Sequence, residues 1–284
     1  MSALNEIKER IGSVRSTLKI TSAMKLVASS KLHKAEADIE AVRPYERTLE
    51  EILSVVESYR SDEEGYIKAS DAPVAVVAFS SNSSLCGAFN SNAVHKVLDT
   101  CAECASVKVI PVGRKMAEAI RKTGLELEND DHGDIIGKPD YYKSRTLARE
   151  LRKRFADGEF SKVLLVYNKY VSSSSQVPVV EQYLPYVTPT IASPERKPDS
   201  LSEDYIFEPN PVELAAQLVP YLLTMKFHAA VLDSAAAEHA ARTIAMQTAS
   251  ENAERLLAEL TLEYNKGRQE KITSEILDLE SGEA

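Results

Sequence analysis

The chain has 284 residues, 44% of them apolar, with a formal net charge of -9. That is enough to bury one sizeable core, and it argues against a protein that binds nucleic acid along its whole surface. Three cysteines, Cys86, Cys101 and Cys104, are too few and too odd in number for a disulfide framework. No apolar run approaches the eighteen residues of a membrane span, and charges begin at Glu6 where a signal peptide would be apolar.

The first sixty residues set the organisation. Steps of three and four from Leu4 pass through Ile7, Ile11, Val14, Leu18, Thr21, Lys25, Ala28, Leu32, Ala35, Ile39, Val42, Glu46, Leu49, Leu53 and Val56. Only Thr21, Lys25 and Glu46 are not apolar. This is the heptad stripe of a helix lying along a partner helix. Pro44 is the interior breaker; because the stripe keeps its phase across it, a bend near Glu40 to Arg43 is expected rather than an end. Such a helix is roughly 85 Å long, more than a domain of this size can cover, so it is expected to protrude. The first 34 residues carry seven Lys or Arg against two Glu, a basic face that is either solvated or turned to an acidic protein surface.

Ser61 to Gly65 is a polar connector. Val74 to Phe79 and Val107 to Val112 then read as strands buried on both faces, and Phe89 to Ala105 and Arg114 to Thr123 as helices, with Gly124 as a stop. Asn129 to Asp134 is turn-rich. Tyr141 to Ala156 is an amphipathic helix, and Val163 to Val171 with Val177 to Leu184 reads as a hairpin across Ser172 to Ser175. Strands alternating with helices imply right-handed crossovers and a parallel core, with an antiparallel edge from the hairpin. Residues 72–187 are thus expected to form a small three-layer, Rossmann-like α/β domain, followed by a Pro-rich linker over 188–209.

Asn210 as cap, Pro211 at the first helical position and Glu213 in the first turn open the last helical section, in which Pro220 is expected to cause a break or kink. Beyond it Ala241, Ala245, Ala249 and Ala253 lead into Leu256, Leu257, Leu260, Tyr264, Ile272, Ile276 and Leu279. No other segment is long enough to cover either seam. Residues 1–60 and 210–284 are therefore expected to pair as a discontinuous antiparallel coiled coil, giving a mixed α+β and α/β architecture.

The candidate chemistry is sparse. The turn Ser80 to Ala88 has one glycine, no GxGxxG and no P-loop lysine, and Val112-Gly113-Arg114 lacks the acid that would hold a ribose. Cys101 and Cys104 have CxxC spacing but fall in a helix with Cys101 on its apolar face, as buried thiols do. His33, His95, His132, His228 and His239 form no metal-ligand pattern, and Asp130, Asp131 and Asp134 read as a solvated loop. No catalytic, cofactor or metal residue is expected. The polar interruptions at Lys25, beside Met24, and at Arg268 and Gln269, beside Gly267, mark either a helix overhanging its partner or contact with a third protein.

Ile20-Thr21-Ser22-Ala23-Met24-Lys25-Leu26-Val27-Ala28-Ser29-Ser30-Lys31 and Arg43-Pro44-Tyr45 resemble the first helix of the gamma subunits of F-type ATP synthases, in their bacterial form. Ala241-Arg242-Thr243-Ile244-Ala245-Met246 and Leu262-Glu263-Tyr264-Asn265-Lys266-Gly267-Arg268-Gln269, with Ile272-Thr273, resemble their last helix. Asp204 to Pro209 and Leu85-Cys86-Gly87 with Asn90 match internal motifs, so the resemblance covers essentially the whole chain. Gly267 stands where the family commonly has Ala, a change that weakens a helix by up to about 1 kcal/mol. Ser83-Ser84 replaces a charged, glycine-containing loop, and the cysteine-bearing insertion of the chloroplast relatives is missing.

The resemblance implies a central-stalk rotor, peripheral on the cytoplasmic face of a bacterial inner membrane and without bond chemistry or bound cofactor of its own. Its implied partners are a hexamer of alpha and beta subunits, a small epsilon subunit and the membrane c-ring of a proton-translocating ATP synthase. By motif position it implies rotor-to-stator contacts at Met24, Lys25, Arg242, Arg268, Gln269 and Thr273, and contacts of the foot with epsilon and the c-ring at Tyr205 and Glu208. Two other classes stay open on the residues alone. A coiled-coil scaffold would homodimerise through its seam, and an α/β enzyme would need a ligand at Ser80 to Gly87.

Overall fold

The computed structural model describes residues 3–57, 72–128, 131–186 and 207–282. In chain order the elements are α1 (Ala3–Glu57), β1 (Val74–Phe79), α2 (Phe89–Ala102), β2 (Val107–Val112), α3 (Arg114–Ile120), β3 (Glu126–Leu127), α4 (Gly133–Gly137), α5 (Tyr141–Ala156), β4 (Lys162–Ser172), β5 (Ser175–Leu184) and α6 (Pro211–Gly282). The connector at Ser61 to Gly65, most of the 188–209 linker, Tyr205, Asn129 and Asp130 lie outside the described residues. The chain divides into two compact units, residues 31–241 and residues 1–30 with 242–284. Each is described by itself.

In the larger unit the strands form one sheet of order β3-β2-β1-β4-β5. β1 lies between β2 and β4, parallel to both, and β5 closes one edge antiparallel to β4. The parallel strands, apolar on both faces, need a helical layer on each side. One face, with Val76, Ala78, Val109 and Val166, packs on Ala93, Val97 and Cys101 of α2 and Met116 and Ile120 of α3. The other, with Val77, Phe79, Ile110, Leu165 and Tyr183, packs on Leu147, Ala148 and Leu151 of α5 and on Leu223, Phe227, Ala230 and Val231 of α6. Phe227 lies 5.7 Å from the Phe79 ring and 6.0 Å from that of Tyr183. The three-layer α/β reading and the antiparallel edge are as expected from sequence, but one outer layer is completed by the C-terminal helix itself.

That role makes α6 buried all round. From Leu222 to Ala241 no residue is exposed, because the sheet takes one side while α1 covers another. Leu32, Ala35 and Ile39 of α1 meet Leu232, Ala236 and Ala240, and Leu49, Leu53 and Val56 meet Ala215, Leu222 and Met225. Small residues at 235, 236, 237 and 240 let three layers approach one helix.

Of the break or kink expected at Pro220, the break does not occur: α6 runs through it. A proline inside a helix forfeits one backbone bond and costs about 3 kcal/mol, but Leu222 and Leu223 just beyond it are buried, and Thr224 Oγ1 donates to the Pro220 carbonyl at 2.9 Å. Burial of that turn offsets the lost bond. Helix α1 likewise continues through Pro44. The start of α6 is as read: Glu213 N donates to Asn210 Oδ1 at 2.9 Å, and Asn210 Nδ2 donates back to Glu213 Oε1 at 3.0 Å.

Two helices end earlier than expected. α2 stops at Ala102 rather than Ala105, and α3 at Ile120 rather than Thr123, where the Thr123 hydroxyl donates to the Ile120 carbonyl and Gly124 adopts a φ of 77°. The turn-rich stretch Asn129 to Asp134 runs into α4, whose Ile135 and Ile136 join the core on the α5 side of the sheet.

In the smaller unit α1 and α6 pair in opposite directions. Leu4 faces Gly267, Thr21 meets Ser250 and Lys25 meets Gln247, so the partner number falls as the α1 number rises. Every α1 position of the predicted stripe in this unit, from Leu4 to Ala28, is half-buried or buried, while the positions between them are exposed except for the half-buried Ser22 and Met24. On α6 the buried line is Arg242, Met246, Ser250, Ala253 and Leu260. Of the predicted stripe Ala253 and Leu260 lie on that line; Ala245 and Ala249 flank it half-buried, and Leu256, Ile272 and Ile276 are exposed. A methyl group added at Gly267 would stand 3.2 Å from Leu4 Cδ2, so the glycine lets Leu4 sit close.

Candidate functional site

The three polar residues of the α1 stripe are all answered by α6. In the smaller unit Thr21 Oγ1 and Ser250 Oγ share a hydrogen bond of 2.8 Å, both buried, and Lys25 Nζ donates to Gln247 Oε1 at 2.8 Å. Gln247 Nε2 in turn donates to Glu251. Lys25 is therefore not on an overhang. Polar partners at matched seam positions fix register, since a slip of either helix leaves them unpaired.

The third, Glu46, belongs to the larger unit and to a group that sequence reading did not find. Lys226 Nζ reaches Glu50 at 2.5 Å, Glu181 at 3.4 Å and Glu46 at 3.6 Å, with the ammonium mostly buried. Nearby Arg43 donates to Asp233 Oδ1 at 2.8 Å and to the Tyr170 carbonyl at 3.2 Å, and the Tyr170 hydroxyl donates to Glu36. Lys226, Glu46, Glu50, Glu181, Arg43 and Asp233 line a cleft of about 490 Å³ among α1, α6, β4 and β5. Burial alone would lower the Lys226 pKa, but the three carboxylates outweigh it and hold it above the usual lysine value. Glu46 moves up: burial raises it more than Lys226 lowers it, and the neighbouring charges of Glu50 and Glu181 raise it further. Asp233 is also raised by burial, against the pull of Arg43. One signal pointed here: Glu46 broke the stripe, and an antiparallel register sets Lys226 opposite.

Of the residues singled out from the resemblance, Met24 and Lys25 are half-buried on α1, and Arg242 is buried, 8% exposed. Arg268, Gln269 and Thr273 are exposed together on α6, where Thr273 Oγ1 donates to the Gln269 carbonyl at 2.9 Å. Glu208 is exposed ahead of α6.

The turn after β1 is closed by its own bonds. In an α/β sheet a phosphate would be taken up by free amides at a helix start. Here the amides of Arg114, Lys115 and Met116 at the start of α3 donate to Asn82 Oδ1, the Ser81 carbonyl and Ser80 Oγ at 3.1, 3.1 and 2.8 Å. Asn82 Nδ2 donates to the Gly133 carbonyl at 2.6 Å, and Ser81 is held by Asn90. Gly113, with φ 126°, lets β2 approach so closely that a Cβ would lie 2.2 Å from the Ser80 carbonyl. Cys101 is buried, and burial pushes its thiol up to about 11, which suits a core residue rather than a thiolate. Among the described residues no His, Cys, Asp and Glu group is arranged to hold a metal, and no helix is long and apolar enough to cross a membrane.

Long terminal helices registered by polar pairs, with an α/β domain whose crevice is filled by its own side chains, define a helix-pairing structural protein. The sequence model of the ATP synthase family matches residues 3–284. The ATP synthase gamma chains of Bacteroides thetaiotaomicron and Phocaeicola vulgatus are 43% and 44% identical, each alignment covering 99% of both chains. A chain of the Euglena gracilis mitochondrial ATP synthase, from a structure of its OSCP, F1 and c-ring, superposes with a TM-score of 0.67 at 19% identity, covering 97% of this chain and 92% of that one. One from the central stalk and c-ring of the Tetrahymena thermophila mitochondrial enzyme gives 0.57 at 22%, covering 81% and 99%. At such identities the likeness establishes the fold. The chain belongs to the gamma chains of the ATP synthase family. Its part is that of a non-catalytic rotor subunit of the central stalk.

Proposed function

We propose that this chain carries torque between the c-ring of a proton-translocating bacterial ATP synthase and a hexamer of alternating alpha and beta subunits. In this reading the paired ends of α1 and α6 enter the hexamer as the shaft, while the α/β domain and the stretch from Tyr205 to Glu208 form the foot, against the epsilon subunit and the c-ring. The complex lies on the cytoplasmic face of the inner membrane and the chain is peripheral to it. Proton flow turns the ring and the shaft, and each beta site meets a different face of the shaft in turn, passing through binding, synthesis and release. Hydrolysis drives the same cycle backwards.

The observation that carries this reading is the antiparallel pairing in the smaller unit, with Thr21–Ser250 and Lys25–Gln247 as fixed points. A rotor transmits torque only if its two helices do not slip, and buried polar pairs penalise slippage. The names of the relatives support the assembly. Arg268, Gln269 and Thr273, exposed on α6, suit contact with the stator, as do Met24 and Lys25 on α1. Arg242, buried within the chain, acts in this reading by setting the shape of the seam. The test is Arg268→Ala with Gln269→Ala in the membrane-bound complex: proton pumping per ATP hydrolysed is expected to fall. Pumping and hydrolysis both at wild-type levels would count against these contacts.

A further inference from the structure

Helix α5 carries a charge opposite to that of the chain. Residues 138–157 hold seven Lys or Arg against three acids, in a chain of formal charge -9. Some of these cations are used internally. Lys143 pairs with Asp134 at 2.9 Å, and Arg154 is shared by Glu128, Glu159 and Glu150. Arg152 is half-buried and turns its Nε to the Ala148 carbonyl at 3.4 Å.

Arg145, Arg149 and Lys153 differ. All three are exposed, and among the described residues no carboxylate lies within ion-pair distance of any of them. Their spacing of four sets them in one row along the helix, about 6 Å apart per step. The opposite side of α5, Ser144, Leu147, Ala148 and Leu151, is buried against the sheet, so the row faces outward on a fixed platform. Like charges at this spacing destabilise a helix, and nothing described within the chain compensates them.

We propose that the outer face of α5 docks an acidic helix of a partner protein in the assembly. A helix with carboxylates four residues apart repeats the spacing of the row, and the two guanidinium groups match carboxylates in two-point fashion where lysines would not. An anionic membrane fits less well. It would meet a broad face, whereas the unpaired cations here form a row one residue wide along the helix.

The inference rests on the chain working inside a multi-subunit complex, and the test separates the two. The intact complex, its composition read by native mass spectrometry, is treated with a water-soluble carbodiimide, which joins a lysine amine to a carboxylate in contact. Lys153 is a native reporter, and Arg149→Lys supplies a second amine one turn away. Both are expected to link to one partner chain, at acids about one helical turn apart. The triple reversal R145E/R149E/K153E is expected to lower retention of that partner through a salt wash about tenfold while helicity is unchanged. Links only to the chain's own Glu150 or Asp157, or none, in a complex of the proposed composition would overturn the docking surface and leave the rotor reading standing. Protection of Lys153 from acylation that appears only when the complex is returned to phosphatidylglycerol vesicles would assign the row to the membrane and overturn it too.

Discussion

The same two helices are held in two different ways. Between Leu222 and Ala241, α6 is buried on every side and behaves as a core element of an α/β domain; from Arg242 on it shows one buried line with half-buried flanks and an exposed opposite face. In the larger unit apolar volume decides the packing, while in the smaller unit a narrow seam leaves much of the specificity to polar pairs. A helix buried all round tolerates no change of volume, whereas a striped helix tolerates changes everywhere except on its line.

The largest effect expected from this contrast is at Phe227, fully buried between Phe79 and Tyr183. Phe227→Ala is expected to cost about 3–5 kcal/mol in urea unfolding of the chain, whereas truncating Leu262, 72% exposed on the same helix, is expected to leave stability unchanged. Next comes Lys226→Met. It leaves Glu46, Glu50 and Glu181 without their shared cation, and the expected cost is about 2 kcal/mol, below that of a fully buried pair because these carboxylates keep some water.

A smaller, pH-dependent effect is expected at His228, whose Nδ1 lies 3.0 Å from Ser144 Oγ. Burial lowers its pKa below the ordinary 6.5, against the charges of Asp140 and Asp38. The unfolded chain therefore takes up a proton before the folded one does. The contribution of His228 to stability is complete above about pH 6.5 and falls as pH drops through that value toward the folded pKa. Denaturation midpoints across this window are expected to fall less with acid in His228→Gln than in the parent. The smallest expected effect is in the seam. Thr21→Val leaves Ser250 without its buried partner and is expected to cost about 1 kcal/mol, and adding Ser250→Ala is expected to recover most of it.

The same contrast explains what the sequence disclosed. The α1 stripe was readable because its two sides face different surroundings, and each described stripe position proved half-buried or buried. The strands at 74–79 and 107–112 and the hairpin were readable from apolar runs and turn residues. The central part of α6 was not, because a helix buried all round has no period to detect, and Pro220 then weighed too heavily as a breaker. The first part of its seam reads one residue aside for a related reason: Ala245 and Ala249 flank the true line until Ala253 joins it, and Arg242 and Ser250 do not look like seam residues. α4, five residues long, is fixed by Ile135 and Ile136 reaching the sheet, a long-range contact no local pattern announces. The Lys226 group joins residues from α1, β5 and α6, so only the antiparallel register brings it into view.

The central claim is that this chain works as a single shaft within a ring of stator subunits, and the stoichiometry of the native complex tests it most directly. Native mass spectrometry of the assembly released gently from membranes is expected to give one copy of the chain with three alpha and three beta subunits. A homodimer of the chain, or a complex with more than one copy per hexamer, would contradict the account.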